Sequence, residues 1–548
     1  MAPRAPRKLQ AGPPRDDVVA VEPRIEAARV ERAVGGGRPL WSRPPLLWLR
    51  LGYLTLLNRV LSGAYRVVRS HYRLWHWSSQ HYSPQLDAFA RLHAYLMCAW
   101  AAKRVPAYRQ FLQENGHVFR LLSLSAYPET TKENYVKCYD FAARCRYGRI
   151  PIAGTLVDES AGSSGAAFNW LRSSQELRDV HLNTSNWIRF TFPTERLLAI
   201  NAFSMGAWAT GTNMGIALSQ TCMVKSTGPD LAKIIDTIET LGDDFDYLIT
   251  AYPPFLKHVV DALDARGFDW SRTRVYGLVG GEGMTEALRD YLERRLVKVR
   301  SGYGASDIQV GIAGETDLSV WVRKLLVDRA DVRAALLGGG DRTPMVFQYN
   351  PLENYIEINA QGEAVVTVNN LSVLSPKLRY NVGDEGATLT RAEVLDRLRE
   401  LGVVGPHTPL PAGWASPFFF LYGRRDSTIS YMGANIYPTD VEYGLYRDAT
   451  FAAAIESFCL ELEESPELEA RPVVHVQVRE GAQVEREAMT EALRSNLVDY
   501  LAAASRDFAE SLREDPSSAE IRLVLHEHGT GPFAGMPAKI KNTYVVAP

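Results

Sequence analysis

Between roughly residues 150 and 420, strand-like apolar runs alternate with runs of helical periodicity. The strand-like runs include RLLAINAF, DYLITAY, RVYGLVGG and AVVTVNNL, and the helical ones include LAKIIDTIETLG and EALRDYLERRLVKV. Parallel strands need a long crossover connection, which is usually a helix. The alternation therefore predicts an α/β fold class, with helices layered on a sheet that contains substantial parallel pairing.

The length of the chain predicts more than one domain, because 548 residues are too many for a single hydrophobic core. Residues 1–40 are rich in Arg, Pro, Ala and Gly and predict a disordered tail. Residues 41–422 are assigned to a large N-terminal domain, with a helical lead-in over about 41–150. Residues 423–548 have strands and helices of their own and predict a small C-terminal domain.

Charge and cysteine usage exclude several classes of function. A formal net charge of -2 gives no basic field for nucleic acid, and the five cysteines form no CxxC pair. A reducing cytoplasm is the expected location. The first apolar stretch, PPLLWLRLGYLTLLNRVL, is interrupted by Arg50 and Asn58. It therefore predicts a helix packed on the body of the protein, without a membrane span or a membrane partner.

The segment DESAGSSGAA, residues 158–167, follows a short apolar run and allows three interpretations. A nucleophile elbow needs G-x-S-x-G, but Ala166 occupies the last glycine position. A Walker loop needs a lysine after its second glycine, which is also missing here. Two interpretations remain: a solvated Gly and Ser turn, or a loop whose backbone N–H groups and hydroxyls hold phosphate oxygens.

Four further stretches carry chemistry in the same order along the chain. SGYGASD at 301–307 offers an aromatic ring and a carboxylate, and LRYNVGDEG at 378–386 places Asp384 after a glycine turn. YGRRDSTISYMGANIYPTDVE spans the predicted domain boundary, and MPAKIKN brings two lysines close to residue 540. Each stretch alone is compatible with an ordinary surface turn or a solvated terminus.

Taken together, these five stretches resemble the motifs of the adenylate-forming ligase superfamily, within it the phenylacetate-CoA ligase-like branch. The resemblance covers roughly residues 85–548, because LMCAWAAKRVPAYRQFLQENG and YPETTKENYV also look like the start of that branch. It implies a large layered α/β N-terminal domain and a small mobile α+β C-terminal domain.

The resemblance implies which residues bind ATP or AMP. Asp307 is implied as a Mg²⁺ ligand, Tyr303 as a ring for adenine and Asp384 as a ribose partner. Ala166 and Ala167 stand where the family commonly has Lys and Pro, and Asn381 replaces an arginine. The full nucleotide-binding set is Gly162, Ser163, Ser164, Gly165, Glu282, Tyr303, Gly304, Ser306, Asp307, Asp384 and Arg424.

The resemblance also implies the catalytic residues and the hinge. Lys539 in PAKIKN lies where the family has its catalytic lysine, and Lys541 is the rival assignment. Asp426 in GRRD is the implied hinge residue, and Arg424 stands with it in the catalytic set. Gly433 is implied on the face that meets the acyl acceptor, next to Met432, which replaces an arginine of the family.

For the acyl group, the resemblance points to NAFSMGAWATGTNMG, TAYPPF and VGGEGM. Phe203, Trp208, Gly211 and Tyr252 are the candidate pocket residues, and plain core packing is the competing interpretation for each aromatic ring. Related enzymes favour aryl or arylacetic acids, so an aromatic acid is expected. Some relatives hold zinc, but VGIAGET at the corresponding place lacks Cys and His, and no zinc is expected.

The expected function is ATP-dependent activation of a carboxylic acid as an acyl-adenylate, followed by transfer to the thiol of CoA. The expected partners are therefore the acid, ATP, Mg²⁺ and CoA, and a homodimer stays open. One alternative keeps adenylation but transfers the acyl group to an amine, a carrier protein or an inorganic nucleophile. A second alternative is a degenerate homologue that binds nucleotide without turnover.

Overall fold

We describe the protein from a computed structural model. The structure describes residues 45–160, 168–206, 209–281, 283–339, 342–424, 429–431, 434–464, 470–504, 508–509, 512 and 521–534. The predicted tail over residues 1–40 lies outside these ranges.

Helices and strands alternate along the middle of the chain, as the apolar pattern predicts. The helices are α1 (Pro45–Ser70), α2 (Tyr72–Gln80), α3 (Pro84–Arg104), α4 (Pro106–Glu114), α5 (Phe141–Arg144), α6 (Ser174–Thr191), α7 (Ala209–Leu218), α8 (Leu231–Leu241), α9 (Pro253–Ala265), α10 (Glu286–Leu292), α11 (Asp317–Asp328), α12 (Ala330–Leu337), α13 (Arg391–Glu400), α14 (Pro438–Tyr446), α15 (Ala449–Ala454) and α16 (Arg486–Ala504). The strands are β1 (Thr155–Ser160), β2 (Phe168–Ser173), β3 (Leu197–Asn201), β4 (Met223–Ser226), β5 (Asp246–Ala251), β6 (Val275–Gly280), β7 (Lys298–Ala305), β8 (Gln309–Gly314), β9 (Met345–Tyr349), β10 (Asn354–Ile358), β11 (Glu363–Val368), β12 (Tyr380–Leu389), β13 (Phe418–Arg424), β14 (Ile429–Tyr431), β15 (Ala434–Ile436), β16 (Ile455–Glu464), β17 (Ala470–Val478) and β18 (Arg522–His526).

One eleven-stranded mixed sheet organises the large part of the protein. Its strand order is β10-β11-β12-β13-β9-β8-β7-β6-β5-β3-β4. The strands from β4 to β7 are parallel neighbours, and those from β7 to β10 pair antiparallel. The predicted α/β class, with a parallel region and helices around it, is confirmed.

The parallel strands form because their residues are apolar without alternation, as burial on both faces requires. Every residue of β3, β5 and β6 is buried. The apolar faces of α8 and α9 pack against them in one core cluster. One sequence expectation differs: EALRDYLERRLVKV is not one helix, because α10 ends at Leu292 and β7 begins at Lys298.

A buried ionic network holds the start of β7 in place. Arg289 donates to Glu286 at 2.9 Å and to Glu315 at 2.6 Å, and all three side chains are inaccessible to solvent or nearly so. The second carboxylate oxygen of Glu315 accepts the backbone N–H of Ser301 at 2.7 Å. Because a buried charge is costly unless it is paired, this network fixes the strand that leads to Tyr303.

The N-terminal helices pack against the sheet from one side. Pro84 and Pro106 occupy first-turn positions of α3 and α4, and Val105 between these helices is extended, as a residue before proline prefers. Helix α1 contacts α2 and α6. Among the helices that the structure describes, none is both long and apolar enough to cross a membrane.

The C-terminal part has its own three-stranded sheet, in the order β16-β17-β18. Helix α14 crosses α16 so closely that a Cβ at Gly444 would lie 2.7 Å from the Leu497 Cα atom. Lys257 of α9 joins this part to the large sheet, because its ammonium group donates to the Ile455 carbonyl at 2.7 Å. The predicted domain boundary at residue 423 stays a prediction.

Candidate active site

The carboxyl ends of the parallel strands bring the predicted acyl-pocket residues together. Phe203 follows β3 and Tyr252 follows β5, and their rings meet edge to face with centroids 5.3 Å apart. Gly281 follows β6 with a φ of +83°, and a Cβ there would lie 2.5 Å from the Tyr252 ring. Ligands of open α/β sheets bind at such an edge. Close packing also requires glycine at position 211, since a Cβ at Gly211 would lie 2.1 Å from the Ser204 carbonyl oxygen.

Tyr303 links β7 to β12 through its hydroxyl, which donates to the Asp384 carboxylate at 2.5 Å. Its ring packs against Phe347 and Phe419, with centroids 6.0 and 5.6 Å away. Burial raises the pKa of Tyr303 well above its ordinary value, and the Asp384 charge raises it further. The side chain is therefore a neutral donor that fixes the orientation of the carboxylate.

A second pair joins the same two regions. The Tyr380 hydroxyl, at the start of β12, donates to Asp307 Oδ2 at 2.8 Å. Tyr380 is buried, and this burial raises its pKa, so it too remains a neutral donor. Within the described residues, Asp307 Oδ1 has no hydrogen bond. Ser306 and Asp307 thus lie in the turn between β7 and β8, with one carboxylate oxygen available to a ligand.

Arg172 attaches the β1–β2 pair to that turn. Its guanidinium donates to the Ser306 carbonyl at 2.6 Å and also to the Ile308 carbonyl. The same buried side chain lies 3.5 Å from Asp158 and 3.7 Å from Glu176. Arg172 pairs with Leu156 across the β1–β2 ladder, so its contacts attach this strand pair, on either side of the Gly and Ser segment in sequence, to the turn at Ser306.

Lys377 is an ionisable residue of this region that belongs to none of the sequence motifs. Its side chain is 5% exposed, and its Nζ atom lies 4.2 Å from the Trp170 ring centroid and 5.8 Å from that of Tyr380. Within the described residues its ammonium group has no hydrogen bond and no ion pair. Burial lowers its pKa to about 7, with a further decrease from Arg172 and an opposing effect of Asp307. A lysine three residues before Tyr380, in the segment SPKLRY, directly precedes a motif of the site, and this position is the signal that could have indicated it.

Arg342 is a second missed residue and lies at the predicted domain junction. It donates to Glu385 of β12 at 2.7 Å and to the Tyr422 carbonyl of β13 at 3.1 Å. Its guanidinium also lies 4.0 Å from the ring centroid of Tyr437, just before α14. The backbones of Asp384 and Arg424 are partners in the β12–β13 pair. Arg342 therefore ties the strand that carries Asp384 to the segment that follows the predicted hinge.

Several predicted residues lie outside the described part of the chain. They include the Gly and Ser segment, the second pocket aromatic residue, the predicted hinge and the predicted catalytic lysine. These residues are Gly162, Ser163, Ser164, Gly165, Trp208, Glu282, Asp426, Gly433, Lys539 and Lys541. For Arg424 the backbone of β13 is described, and its predicted role stays a prediction.

The chain as a whole is similar to solved structures of one ligase. The 2-hydroxyisobutyryl-CoA ligase in the postadenylation state with 2-HIB-AMP matches with a TM-score of 0.61 and 13% identity, over 86% of this chain and 91% of that chain. The same ligase in complex with R3-HIB-AMP matches with a TM-score of 0.60 and 12% identity, over 84% of this chain and 89% of that chain. No family model matches the chain, and no curated protein matches it. The chain has the adenylate-forming ligase fold.

The described residues fit the groups that an adenylate-forming ligase fold implies. A polyphosphate needs cations, and the unpaired ammonium group of Lys377 lies beside the strand that follows the Gly and Ser segment. A Mg²⁺ ion needs hard oxygen ligands, and Asp307 keeps one carboxylate oxygen without a described partner. The donor set therefore fits both ATP and its metal ion.

Proposed function

We propose that the protein is an AMP-forming ligase that activates a carboxylic acid with ATP and transfers the acyl group to the thiol of CoA. In the first step, a carboxylate oxygen bonds to the α-phosphorus of ATP, and the bond from that phosphorus to the leaving oxygen breaks. The products are an acyl-adenylate and pyrophosphate. In the second step, a thiol adds to the acyl carbon and AMP leaves.

The observation that supports this proposal is the convergence of three motif regions. Arg172 joins the β1–β2 pair to the turn at Ser306, and Tyr380 joins that turn to β12 through Asp307. Charge develops at the α-phosphorus and on the leaving oxygens, so the reaction needs fixed cations nearby. Lys377 would supply one on the protein side once a bound phosphate raises its lowered pKa, and Mg²⁺ bound through Asp307 would neutralise phosphate charge.

The remaining catalytic roles rest on the sequence resemblance. We assign Lys539 as the second protein cation of adenylation, Asp426 and Arg424 to the hinge, and Gly433 to the face that meets the acceptor. A movement of the small C-terminal part between the two steps belongs to the same assignment. The Arg342 contacts lie where such a movement would be controlled.

We place an aromatic acid first among the substrates. Phe203 and Tyr252 form an aromatic corner at the carboxyl edge of the parallel strands, and an aryl ring packs well against edge-to-face aromatic pairs. All five cysteines are free thiols, which agrees with a reducing compartment such as the cytoplasm.

Pyrophosphate release from the full chain tests the proposal. The assay contains ATP, Mg²⁺ and a panel of aryl and alkyl acids, with and without CoA. Release that requires an acid, together with a mass increase on CoA, is the expected result. Release without acylated CoA would favour an amine, a carrier protein or an inorganic acceptor. ATP binding without release for any acid would favour the degenerate homologue.

A pair of neighbouring lysines provides the matched variants. Lys539→Ala is expected to lower acid-dependent pyrophosphate release by two orders of magnitude or more, because it removes a cation aimed at the reacting phosphate. Lys541→Ala is expected to retain most of the activity. Loss in Lys541→Ala alone would reassign the catalytic lysine, and normal activity in both variants would contradict the proposed mechanism.

A further inference from the structure

A large apolar cavity lies between the N-terminal helices and the sheet, and neither Phe203 nor Tyr252 is among its lining residues. Its volume is about 480 Å³, within the range of about 300–1,000 Å³ that small-molecule pockets occupy. Helices α1, α2, α3 and α6 and strands β8 and β9 contribute to its wall. Four tryptophans line it: Trp75, Trp77, Trp187 and Trp414.

Three buried polar atoms of the cavity wall have no hydrogen-bond partner among the described residues: the Trp414 indole nitrogen, the Ser416 hydroxyl and the Asn183 side-chain oxygen. The Trp414 indole nitrogen and the Ser416 hydroxyl belong to side chains that are 7% and 4% exposed. Neither atom has a hydrogen bond within the described part of the chain. Buried donors in native proteins are nearly always satisfied, so these two atoms indicate a ligand that carries an oxygen acceptor.

The charged residue Glu353 and the amide of Asn350 in the same wall are paired. Arg69 donates to both carboxylate oxygens of Glu353, each at 3.0 Å. Asn350 donates to the Tyr65 hydroxyl at 2.6 Å. The three polar atoms without a partner therefore lie next to wall residues whose polar groups are hydrogen-bonded. They provide polar points in an otherwise apolar cavity, the usual composition of a specific ligand site.

Part of the cavity wall is formed by exposed apolar side chains of α1 and α2, two helices that also carry exposed arginines. Leu61 and Trp77 line the cavity while remaining 37% and 61% exposed. The sequence from residue 32 to residue 86 contains eight arginines and no Asp or Glu. Of these arginines, Arg59 and Arg73 are exposed on α1 and α2. Positive charge on these two helices attracts an anionic amphiphile to this side of the protein.

We propose that this cavity is a binding site for a fatty acid or fatty acyl compound. The hydrocarbon chain would fill the space between the tryptophan rings, and an oxygen of the ligand would accept hydrogen bonds from Trp414 and Ser416. The proposal concerns binding alone and holds with or without adenylation of that ligand.

The site differs from the predicted acyl pocket but shares a strand with the candidate active site. Gly311 and Ile312 of β8 line the cavity, and β8 begins two residues after Asp307. Two kinds of ligand would place a fatty chain in this cavity. The fatty chain is either the tail of the acid that is activated or a separate lipid ligand held near the site.

Titration with saturated fatty acids of six to eighteen carbons tests the proposal on the full chain without ATP. Binding is read from the intrinsic tryptophan fluorescence and by calorimetry. Each buried methylene is worth roughly a fourfold gain in affinity, so the dissociation constant should fall with chain length and then level off when the cavity is full. Fatty acids with a brominated chain should quench the tryptophan emission more strongly than the saturated chains do.

Matched variants locate the binding. Ala64→Phe inserts a ring from α1 at the cavity wall, while Ala88→Phe makes the same change at an exposed position of α3 outside the wall. Ala64→Phe should weaken binding at least tenfold, and Ala88→Phe should leave it unchanged. Ser416→Ala, which alters little volume, should weaken binding about fivefold. Thermal unfolding verifies that each variant is folded.

The outcomes separate the proposals. No fatty acid binding at any chain length, or binding that neither Ala64→Phe nor Ser416→Ala weakens, would overturn the site. Binding with pyrophosphate release that increases with chain length identifies the ligand as the substrate tail. Binding without such release identifies a separate lipid ligand. Both of the last two results support the cavity site, even if the adenylation proposal fails for every acid.

Discussion

The Tyr303 hydroxyl and the Asp384 carboxylate are joined by a hydrogen bond of 2.5 Å across two strands that are far apart in sequence. The two residues come from β7 and β12, which are not neighbours in the sheet. Tyr303 is buried among aromatic rings, so its hydroxyl cannot turn to another partner without disturbing the core. The carboxylate predicted to bind ribose is thus oriented by a rigid donor.

Tyr303→Phe should therefore weaken both the fold and the use of ATP. A hydrogen bond to a charged group contributes about 1.5–3 kcal/mol, and most of this should appear as a loss in the free energy of unfolding. The KM for ATP should rise several-fold, with a smaller change in the KM for the acid. Urea unfolding and pyrophosphate release measure the two effects.

Tyr349→Phe provides the control for this substitution. Tyr349 is a buried tyrosine in the same aromatic cluster, and its hydroxyl has no hydrogen bond among the described residues. We expect little change in the KM for ATP in this variant. Equal effects of the two substitutions on that KM would show that Tyr303 acts through packing rather than through Asp384.

Asp307→Asn should raise the Mg²⁺ concentration needed for half-maximal activity. The asparagine still accepts the Tyr380 hydroxyl, so the turn should keep its position, but the ligand oxygen loses its negative charge. We expect a decrease in kcat on the order of tenfold or more, partly restored by high Mg²⁺. Asp290→Asn removes the same charge from an exposed ion pair with Lys324. This control should leave kcat and the Mg²⁺ dependence unchanged. An unchanged Mg²⁺ dependence in Asp307→Asn would rule out the assigned metal ligand.

Lys377→Met should change how stability depends on pH. The pKa of Lys377 is lowered from 10.5 to about 7 in the folded protein, so between these values the unfolded chain binds more protons. Stability contributed by this group therefore rises with pH from about 7 to about 10, by at most about 1.4 kcal/mol per pH unit. The variant should lose this rise and be more stable than the parent below pH 7. Lys137→Met, at an exposed pair, should keep the rise.

ATP binding should be coupled to protonation of Lys377. At pH 8 this side chain is mostly neutral, and a phosphate group beside it would raise its pKa, so the complex should take up a proton. Calorimetry in two buffers with different ionisation enthalpies measures this uptake. The uptake should disappear in Lys377→Met. If it persists there, Lys377 does not face the phosphates.

The sequence predicted those parts of the protein that depend on local pattern. Uninterrupted apolar runs predicted β3, β5 and β6, because strands buried on both faces need them. The resemblance indicated Tyr303 and Asp384 as site residues, but their contact depends on the order of strands in the sheet, which local pattern does not specify.

Lys377 shows a second limit of sequence reasoning. Its position in the segment SPKLRY resembles that of a surface lysine, and only the packing of Trp170 and Tyr380 around it reveals a buried amine. Arg342 belongs to no motif either, and its role follows from contacts with Glu385 and Tyr437. Residues that act through long-range packing leave no local signature.

Lys257→Met should alter the balance between the two proposed half-reactions. Lys257 is buried, donates to Asp261 at 2.9 Å and to the Ile455 carbonyl at 2.7 Å, and joins α9 to the C-terminal sheet. If the C-terminal part moves between adenylation and thiol transfer, this contact must break in every cycle.

Removing the ammonium group of Lys257 should destabilise the observed arrangement, while Arg479 still pairs with Asp261. If this arrangement serves adenylation, we expect slower pyrophosphate release in a single turnover and unchanged or faster transfer from preformed acyl-adenylate to CoA. Lys324→Met, which removes an exposed lysine paired with Asp290, should change neither rate. An equal loss in both half-reactions of Lys257→Met would instead indicate general destabilisation, since a contact specific to one arrangement must affect the two steps differently.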